Sequence, residues 1–363
     1  MGFLSLQTYN FRNLLEQEIP VGSENICFVG ENGQGKTNLI EAVYFLCFAS
    51  SFRTRQEKFL IKHGTSSLAV HGKFVRDGDG DEAGLSQSVS VKILNGKKEI
   101  RINDRGIRDR KEIVTNIPCI VFAHDDIFFV NGPPERKRLF FDQTMSLYDP
   151  LMIDNLRSYK KILKSRNILL KEGTRDTLDV LTMQLAEAGS VLTMKRHELV
   201  EEFNETFVPL YNKIFGYDLD VHIIYRPSWK NGEDPAAVFD YLQKNRQKDL
   251  LFETTTTGPH RDNFTFQSGT GDFSKVGSTG QLRLISLVLK IAQAVFFHKK
   301  TGKKPVLLLD DVLLELDTRK RETFFLSLPE YDQAFFTFLH SSDVGYLEEK
   351  NRIVYAVREG GVT

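Results

Sequence analysis

The stretch Ile26-Cys27-Phe28-Val29-Gly30-Glu31-Asn32-Gly33-Gln34-Gly35-Lys36-Thr37-Asn38 decides how the rest of the chain is read. A short apolar run reads as a buried strand, and Gly30 to Thr37 fits G-x4-G-K-[ST]. Composition alone would give such a match in on the order of one chain of this length in a hundred. Beyond it, Leu39, Ile40, Val43, Leu46 and Cys47 recur at helical spacing within Asn38–Phe48. Strand, glycine loop and apolar-faced helix form the context that phosphate binding needs. Glycines let successive backbone N–H groups turn inward around phosphate oxygens, and the helix brings its positive end to the same anion. Lys36 then reaches the β- and γ-phosphates, and the Thr37 hydroxyl ligates Mg²⁺. The competing reading is a glycine turn in a flexible loop.

A second half-site lies far along the chain. Val306–Leu309 is an apolar run ending in Asp310 and Asp311. A parallel strand buried on both faces delivers its C-terminal residue to the ligand crevice. Asp310 would hold Mg²⁺, and Asp311 would orient or deprotonate the attacking water. Taken alone, the pair is an acidic cap on a strand. Ser278-Thr279-Gly280-Gln281 precedes an apolar helix, Gln281–Lys299. Serine and glycine there make an N-cap, and the same hydroxyl, N–H and dipole make a second anion site. One molecule carries one phosphate loop and one such cap. If both act on one γ-phosphate, they come from two subunits facing head to tail, with ATP as part of the glue. Glu315-Leu316-Asp317 follows the acids. His340 ends the buried run Ala334–Leu339, a place that suits a γ-phosphate-sensing histidine as well as an ordinary surface one.

The chain of 363 residues is ample to bury a core, and 41% hydrophobic with 26% charged residues excludes a disordered or collagen-like protein. Lys and Arg number 48, as do Asp and Glu, so the net charge is zero. That argues against a surface that is a polyanion trap throughout, but not against a local basic face. Cys27, Cys47 and Cys119 form no CxxC pair. The N-terminus lacks a basic segment leading into a long apolar run, and no later segment reads as a span of about 18 uncharged apolar residues. The expectation is a cytoplasmic protein with no membrane contact.

Residues 68–102 read as a β-meander with an Asn95-Gly96 hairpin turn. Asp77–Gly84 is too polar and glycine-rich to pack, and Ile117–Ala123 is a further strand. From Pro133-Pro134 the helical period dominates. Leu151–Lys171 is one helix. A second, from about Thr177, carries a heptad-like seam of Leu178, Leu181, Leu185, Leu192, Leu199 and Phe203. The two would pair as an antiparallel arm around Gly173. After Leu250, Phe264–Gln267, Val306–Leu309, Ala334–Leu339 and Arg352–Val357 read as strands. The expected organisation is α/β: a first lobe over 1–132, a helical arm over 133–250 and a second lobe over 251–363.

Taken together, the phosphate loop, the S-x-G-Q cap, the strand with two acids and E-L-D resemble ABC-type ATPase heads of the SMC class. Further strings resemble the RecF family of bacterial DNA replication and repair proteins. They are Asn10-Phe-Arg-Asn13, Ser51-Phe-Arg-Thr-Arg55, Val130-Asn-Gly-Pro-Pro-Glu-Arg-Lys-Arg138, Arg166–Lys171, Thr257-Gly-Pro-His-Arg-Asp262 and Asp310–Asp317. The resemblance implies a two-lobed P-loop ATPase head with a short inserted arm. It implies ATP and Mg²⁺ as ligands, an ATP-bound homodimer, and weak, DNA-stimulated hydrolysis. It implies binding to double-stranded and gapped DNA in repair, recombination and replication, where the family assists RecA loading with RecR and RecO. Gly30, Glu31, Asn32, Gly33, Gln34, Gly35, Lys36, Thr37 and Asn38, with Arg12 and Asn13, match the nucleotide-contacting positions. Ser278, Gly280, Gln281 and Asp317 match positions that act in trans. Some positions depart from the pattern. Ala123-His124-Asp125-Asp126 replaces the usual Ser-Pro-Glu-Asp, and Thr279 stands where glutamine is common. Asp311 is an aspartate where most ABC ATPases use glutamate.

DNA contact is expected from basic clusters without base readout. Residues 157–171 hold Arg157, Lys160, Lys161, Lys164, Arg166 and Lys171 with no acid. Arg101, Arg105, Arg108, Arg110 and Lys111, with Arg53 and Arg55, are the favoured contacts, because the first lobe faces the dimer groove in such heads. Each cluster could equally be a solvated face. Two further functions stay open at this stage: an ABC-type ATPase subunit of another assembly, and an ATP-binding structural head with no DNA role.

Overall fold

The computed structural model describes residues 2–75, 86–173, 177–215, 221–269, 271–313, 316–347 and 351–363. The polar loop Asp77–Gly84 falls wholly outside them, as does Glu315. The chain divides into two compact units, Met1–Asp125 with Gln293–Thr363, and Asp126–Ala292.

The first leg of the chain runs β1 (Gly2–Tyr9), β2 (Glu18–Pro20), β3 (Asn25–Val29), α1 (Lys36–Phe48), β4 (Ser67–Val75), β5 (Ser86–Leu94), β6 (Lys97–Ile102), β7 (Arg105–Gly106), α2 (Arg110–Asn116) and β8 (Cys119–Phe122). The meander forms as expected, and Asn95 and Gly96 both take positive φ, 50° and 74°, as a type I′ turn requires. The middle leg runs α3 (Phe128–Asn131), α4 (Pro134–Tyr148), α5 (Pro150–Glu172), α6 (Leu178–Phe215), β9 (His222–Arg226), α7 (Pro235–Lys244), α8 (Arg246–Leu251), β10 (Asn263–Ser268), β11 (Gly271–Asp272), α9 (Phe273–Val276) and α10 (Thr279–Thr301). The return leg adds β12 (Val306–Leu309), α11 (Thr318–Phe325), β13 (Gln333–Phe338), β14 (Arg352–Arg358) and β15 (Gly361–Val362).

In the first unit, one antiparallel sheet has the order β2-β1-β4-β5-β6-β7, and a second sheet has the order β15-β14-β3-β13-β12-β8. The second sheet is parallel from β14 to β8. Its central strands read as continuous apolar runs because they are buried on both faces: every residue of β12 and β13 is buried. Phe28 of β3 stacks between Phe335 and Tyr355, with ring centroids 6.4 and 6.2 Å away. Gln333 opens β13 and is itself buried. Its amide accepts from Phe3 N–H at 2.7 Å and donates to the carbonyls of Phe3 and Ser23 at 2.9 and 3.0 Å, tying the two sheets together. All three cysteines are free and buried.

In the second unit, α6 runs 38 residues, about 57 Å at 1.5 Å per residue. The expected seam is fully buried except at Leu181, which is half-buried, and continues through Phe207, Tyr211 and Ile214. The insert is not all helix. β9 lies within 133–250 and pairs antiparallel with β10 and, through it, β11. The Ser278–Gln281 cap and the first part of α10 also group with this unit rather than with the strands of the second lobe. Packing gives the reason: Phe264 of β10 stacks on Phe141 of α4 at 4.1 Å and on Tyr225 of β9 at 5.0 Å. By length and composition α10 could cross a membrane, but 78% of its apolar window is buried inside the fold.

Candidate nucleotide-binding site

Parallel pairing aligns the ends of three strands. Val29 pairs with Phe338, and Leu309 with Phe336. The residues that follow, Gly30 and Asp310, thus emerge with Thr337 and His340 at the carboxyl edge of one sheet, where open α/β sheets bind ligands. The glycine loop then enters α1, whose N-cap Gly35 has φ 114° and whose first turn carries no acid. The helix end is left open to an anion.

Lys36 is only 3% exposed, and its Nζ donates to the carbonyls of Gly30 and Glu31 at 2.8 and 3.0 Å. The lysine is folded back across its own loop, held ready at the place where a phosphate would replace the carbonyls. Glu31, Asn32 and Gly33 are exposed at the loop's rim. Gln34 is clasped by the C-terminal hairpin: its carbonyl accepts from Gly360 N–H at 2.8 Å and its Oε1 from Glu359 N–H at 2.7 Å. Two close approaches require glycine. A Cβ on Gly30 would stand 2.5 Å from the Val357 carbonyl oxygen, and one on Gly360 would stand 2.0 Å from that of Asn13.

The Thr37 hydroxyl donates to Asp310 Oδ1 at 2.9 Å. Asp310 is nearly buried, and burial first, then the neighbouring Asp311 carboxylate, raises its pKa to about 6. Asp311 takes a left-handed backbone (φ 51°), with its N–H donating to Thr337 Oγ1 at 2.7 Å. The Thr337 oxygen also lies 3.0 Å from Asp311 Oδ1 and 3.3 Å from Asp310 Oδ1. A hydroxyl and a carboxylate side by side are hard oxygen donors suited to Mg²⁺, which usually takes one or two protein oxygens and completes its shell with water and phosphate. Among the described residues no cluster of three or more His, Cys, Asp or Glu could hold a metal.

Arg12 and Asn13 reach the same place. Arg12 is bidentate to Glu41 of α1, and Asn13 Oδ1 accepts from Asn38 Nδ2 at 2.6 Å. Arg53 donates to Asn38 Oδ1 at 2.8 Å and so belongs to the rim of the phosphate loop. Sequence reasoning missed three members of this site. Glu41 is the one charged residue of α1 after Lys36, Thr337 the one hydroxyl in an apolar strand, and Gly360 part of a Gly-Gly turn; each is a local exception that could have been noticed. His340 is exposed just past β13.

In the second unit, Ser278 caps α10. Ser278 N–H donates to Gln281 Oε1 at 2.8 Å, and Gln281 N–H to Ser278 Oγ at 3.3 Å, a reciprocal capping box. Thr279 and Gly280 are exposed, with nothing within 4 Å of a Cβ built on Gly280, so the helix end is open. Asp317 caps α11, accepting from Lys320 N–H at 2.9 Å and Lys320 Nζ at 2.6 Å.

The basic clusters divide. Arg55, Arg101, Arg105 and Arg108 are exposed, Lys111 is half-buried, and the Arg110 side chain lies outside the described residues. Arg166 is withdrawn from the arm cluster. It is 1% exposed and paired to the equally buried Asp249 at 2.8 Å, with Thr255 and Thr182 as further partners. Asn167 accepts from Thr255 N–H at 2.8 Å. In the Gly258–Asp262 string, Gly258, Pro259 and Asp262 are buried, whereas Arg261 is exposed. Asp262 receives Arg196 Nη1 at 2.9 Å, Ser228 N–H at 2.8 Å and the Tyr225 hydroxyl, while Arg196 also grips Asp142. His260 bridges the Tyr159 hydroxyl at 2.7 Å and the Thr255 carbonyl at 3.0 Å, and burial lowers its pKa. These strings build the second unit's polar interior.

Phosphate loop, paired acids at the end of another strand of the same sheet and an open capped helix define a P-loop ATPase head of the ABC type. The sequence profile of the RecF/RecN/SMC N-terminal domain family matches residues 4–363. The chain is 43% identical to the DNA replication and repair protein RecF of Treponema pallidum (strain Nichols), covering 97% of this chain and 98% of that one. It is 33% identical to RecF of Leptospira interrogans serogroup Icterohaemorrhagiae serovar Lai, covering 98% of each. A solved structure of the recombination mediator protein RecF with ATP in the RecFOR pathway superposes with a TM-score of 0.89 at 28% identity, covering 99% of this chain and 96% of that one. An Smc head bound to the C-terminal winged-helix domain of ScpA has a TM-score of 0.60 at 15% identity, covering 100% and 96%, and shares the fold. The chain therefore belongs to the RecF/RecN/SMC family, and within it to the RecF proteins.

Proposed function

We propose that this protein is an ATP-gated DNA-binding dimer of replication and recombinational repair. The observation that carries the reading is the meeting of Thr37 and Asp310, 273 residues apart in sequence, at 2.9 Å in front of the phosphate loop. ATP binds at Gly30–Asn38. Lys36 exchanges its two carbonyl partners for phosphate oxygens, and the α1 amides take the remaining phosphate charge. Thr37 and Asp310 would hold Mg²⁺, which would supply positive charge to offset that of the phosphates. Asp311 orients the attacking water and accepts its proton. Arg12 and Asn13 close the loop's side, and His340 faces the γ-phosphate end.

Hydrolysis needs a second copy. Ser278, Gly280 and Gln281 of one subunit cap the γ-phosphate bound to the other, with Asp317 beside them, so nucleotide joins a head-to-tail homodimer. The open helix end at Ser278–Gln281 supports this, because its first turn carries no acid to compete with a phosphate. Hydrolysis is slow and DNA-stimulated, and it releases the dimer. Arg55, Arg101, Arg105, Arg108, Arg110 and Lys111 contact phosphates of double-stranded or gapped DNA, without base readout. RecR and RecO act with the dimer, and RecA loading follows.

Mass in solution and duplex binding with ATP, with ADP and with Lys36→Arg and Asp311→Asn variants test the reading. The expected result is an ATP-dependent dimer that Asp311→Asn prolongs and Lys36→Arg abolishes, with DNA affinity falling as salt rises. A monomer in every nucleotide state would sink the composite site, and salt-insensitive binding would sink the phosphate contacts.

A further inference from the structure

Glu41 is no part of the phosphate-loop consensus, yet its carboxylate is completely buried, one turn along α1 from Asn38. A buried charge is tolerated only with close partners, so the partners show what the residue does. Arg12 grips it twice, Nε to Oε2 and Nη2 to Oε1, each at 2.9 Å. Ser51 donates its hydroxyl to Oε1, and Arg53 Nη1 stands 3.4 Å from Oε2. Two guanidiniums thus share one carboxylate and leave one positive charge over.

The same two loops meet again at Asn38, whose Oδ1 accepts from Arg53 at 2.8 Å and whose Nδ2 donates to Asn13 at 2.6 Å. Asn38 and Glu41 are i, i+3 neighbours on one helix face. Glu41 also shapes the turn that carries Arg53, because the Ser51 oxygen accepts from the N–H groups of Arg53 and Thr54 at 2.9 and 3.0 Å. On the other side, Arg12 is held with a left-handed backbone, φ 53°, its N–H donating to the Leu60 carbonyl at 2.8 Å. Joining two loops would need only one arginine on the carboxylate. A second adds repulsion that an incoming anion beside Thr37 and Asn38 would relieve.

We propose that Glu41 is a positioning residue for the nucleotide: it fixes Arg12 and the Ser51–Thr54 turn beside the phosphate loop, and a phosphate of the bound nucleoside triphosphate completes the surplus positive charge. This rests on the nucleotide-binding reading given above. Glu41→Gln keeps the size and the bond to Ser51 but removes the anion that orders both arginines.

The experiment titrates ATP with Mg²⁺ into the wild type, Glu41→Gln, Arg12→Gln, the double variant and Arg53→Gln, with a melting curve for each. Glu41→Gln is expected to weaken ATP binding by about tenfold, the scale of one charge-assisted contact. In the Arg12→Gln background the same change should cost clearly less than about tenfold, because one of its two routes is already cut. Arg53 is half exposed, so Arg53→Gln folds even if Glu41→Gln does not, and it should weaken ATP on its own. Folded Glu41→Gln or Arg53→Gln protein that binds ATP like the wild type overturns the proposal, as do fully additive losses in the double variant. Wild-type protein that binds no ATP overturns the nucleotide-binding reading instead.

Discussion

Lys36→Met separates binding from folding. The Lys36 ammonium is buried with two carbonyl partners, at 2.8 and 3.0 Å. Removing it deletes two charge-assisted hydrogen bonds of roughly 1.5–3 kcal/mol each. It also removes the desolvation penalty of a buried ion, several kcal/mol in the opposite direction. These nearly cancel, so the free protein should melt within a few degrees of the wild type. With ATP the balance changes, because the lysine's partner is then an anion that methionine cannot satisfy. Loss of one charge-assisted contact, roughly 1.5–3 kcal/mol, weakens affinity by about ten- to a hundredfold. At an ATP concentration of about 100 Kd the wild type gains about 2.7 kcal/mol of stability from mass action. Under the same conditions the variant should gain about 1.4 kcal/mol if binding is tenfold weaker, and about 0.4 if a hundredfold. A thermal-shift titration reads both quantities from the same samples. A variant that melts like the wild type without nucleotide and gains as much from ATP would refute the reasoning, as would one that does not fold.

Other perturbations probe separate parts of the molecule. Asp311→Asn should leave ATP binding intact and slow phosphate release by about a hundredfold or more, since the amide cannot accept the water's proton; unchanged turnover would remove Asp311 from the chemistry. Asp249→Ala strands the buried Arg166 and should cost about 3–5 kcal/mol in urea unfolding, whereas a loss under about 1 would mean the pair contributes little. His260 is held neutral, its folded pKa below the ordinary 6.5, so the unfolded chain takes the proton first as pH drops. Its contribution is complete above about pH 6.5 and is lost as pH falls toward the lowered value. His260→Gln should flatten that part of the stability profile, and an identical slope in both proteins would exclude His260 as its source.

How much was legible from sequence depended on whether a residue's meaning is local. Gly30–Thr37 and Val306–Asp311 carry their context with them, a strand on one side and a turn or helix on the other, and in the fold the two meet, Thr37 against Asp310. Arg166 was misread because a count of cations along a helix does not say which face turns inward; its partner Asp249 is 83 residues away. The strand β9 was missed because His222–Arg226 is a short run that makes sense only beside Phe264 and Phe266. The end of α6 is not marked in the sequence, since Pro209 lies inside the helix and the buried series Phe203, Phe207, Tyr211, Ile214 keeps it packed past that point. Glu41 looked like one more acid, and only the return of two distant arginines gives it a role.

The distribution of backbone strain argues for a site independently of any consensus. Arg12 and Asp311 are non-glycine residues with φ of 53° and 51°, a conformation that costs an ordinary side chain about 1 kcal/mol or more. They come from distant parts of the chain. Arg12 bonds to α1 through Glu41, and Asp311 follows the partner of Thr37. Asn95, Asn103, Asp104 and Glu359 lie in hairpin turns, where turn geometry explains their positive φ, Ala49 caps the end of α1, Asn10 adjoins Arg12, and Glu253 follows α8 in the second unit. A glycine turn in a flexible loop would have no reason to collect strain from the segments after β1 and β12 around itself. It would relax, because nothing outside the loop would hold it. Here Gln34 is bonded to Glu359 and Gly360, and Thr37 to Asp310, so groups outside the loop set its shape. Preorganisation of this kind lowers the ordering cost of binding, and it is why Lys36→Met should act on ATP far more than on the fold.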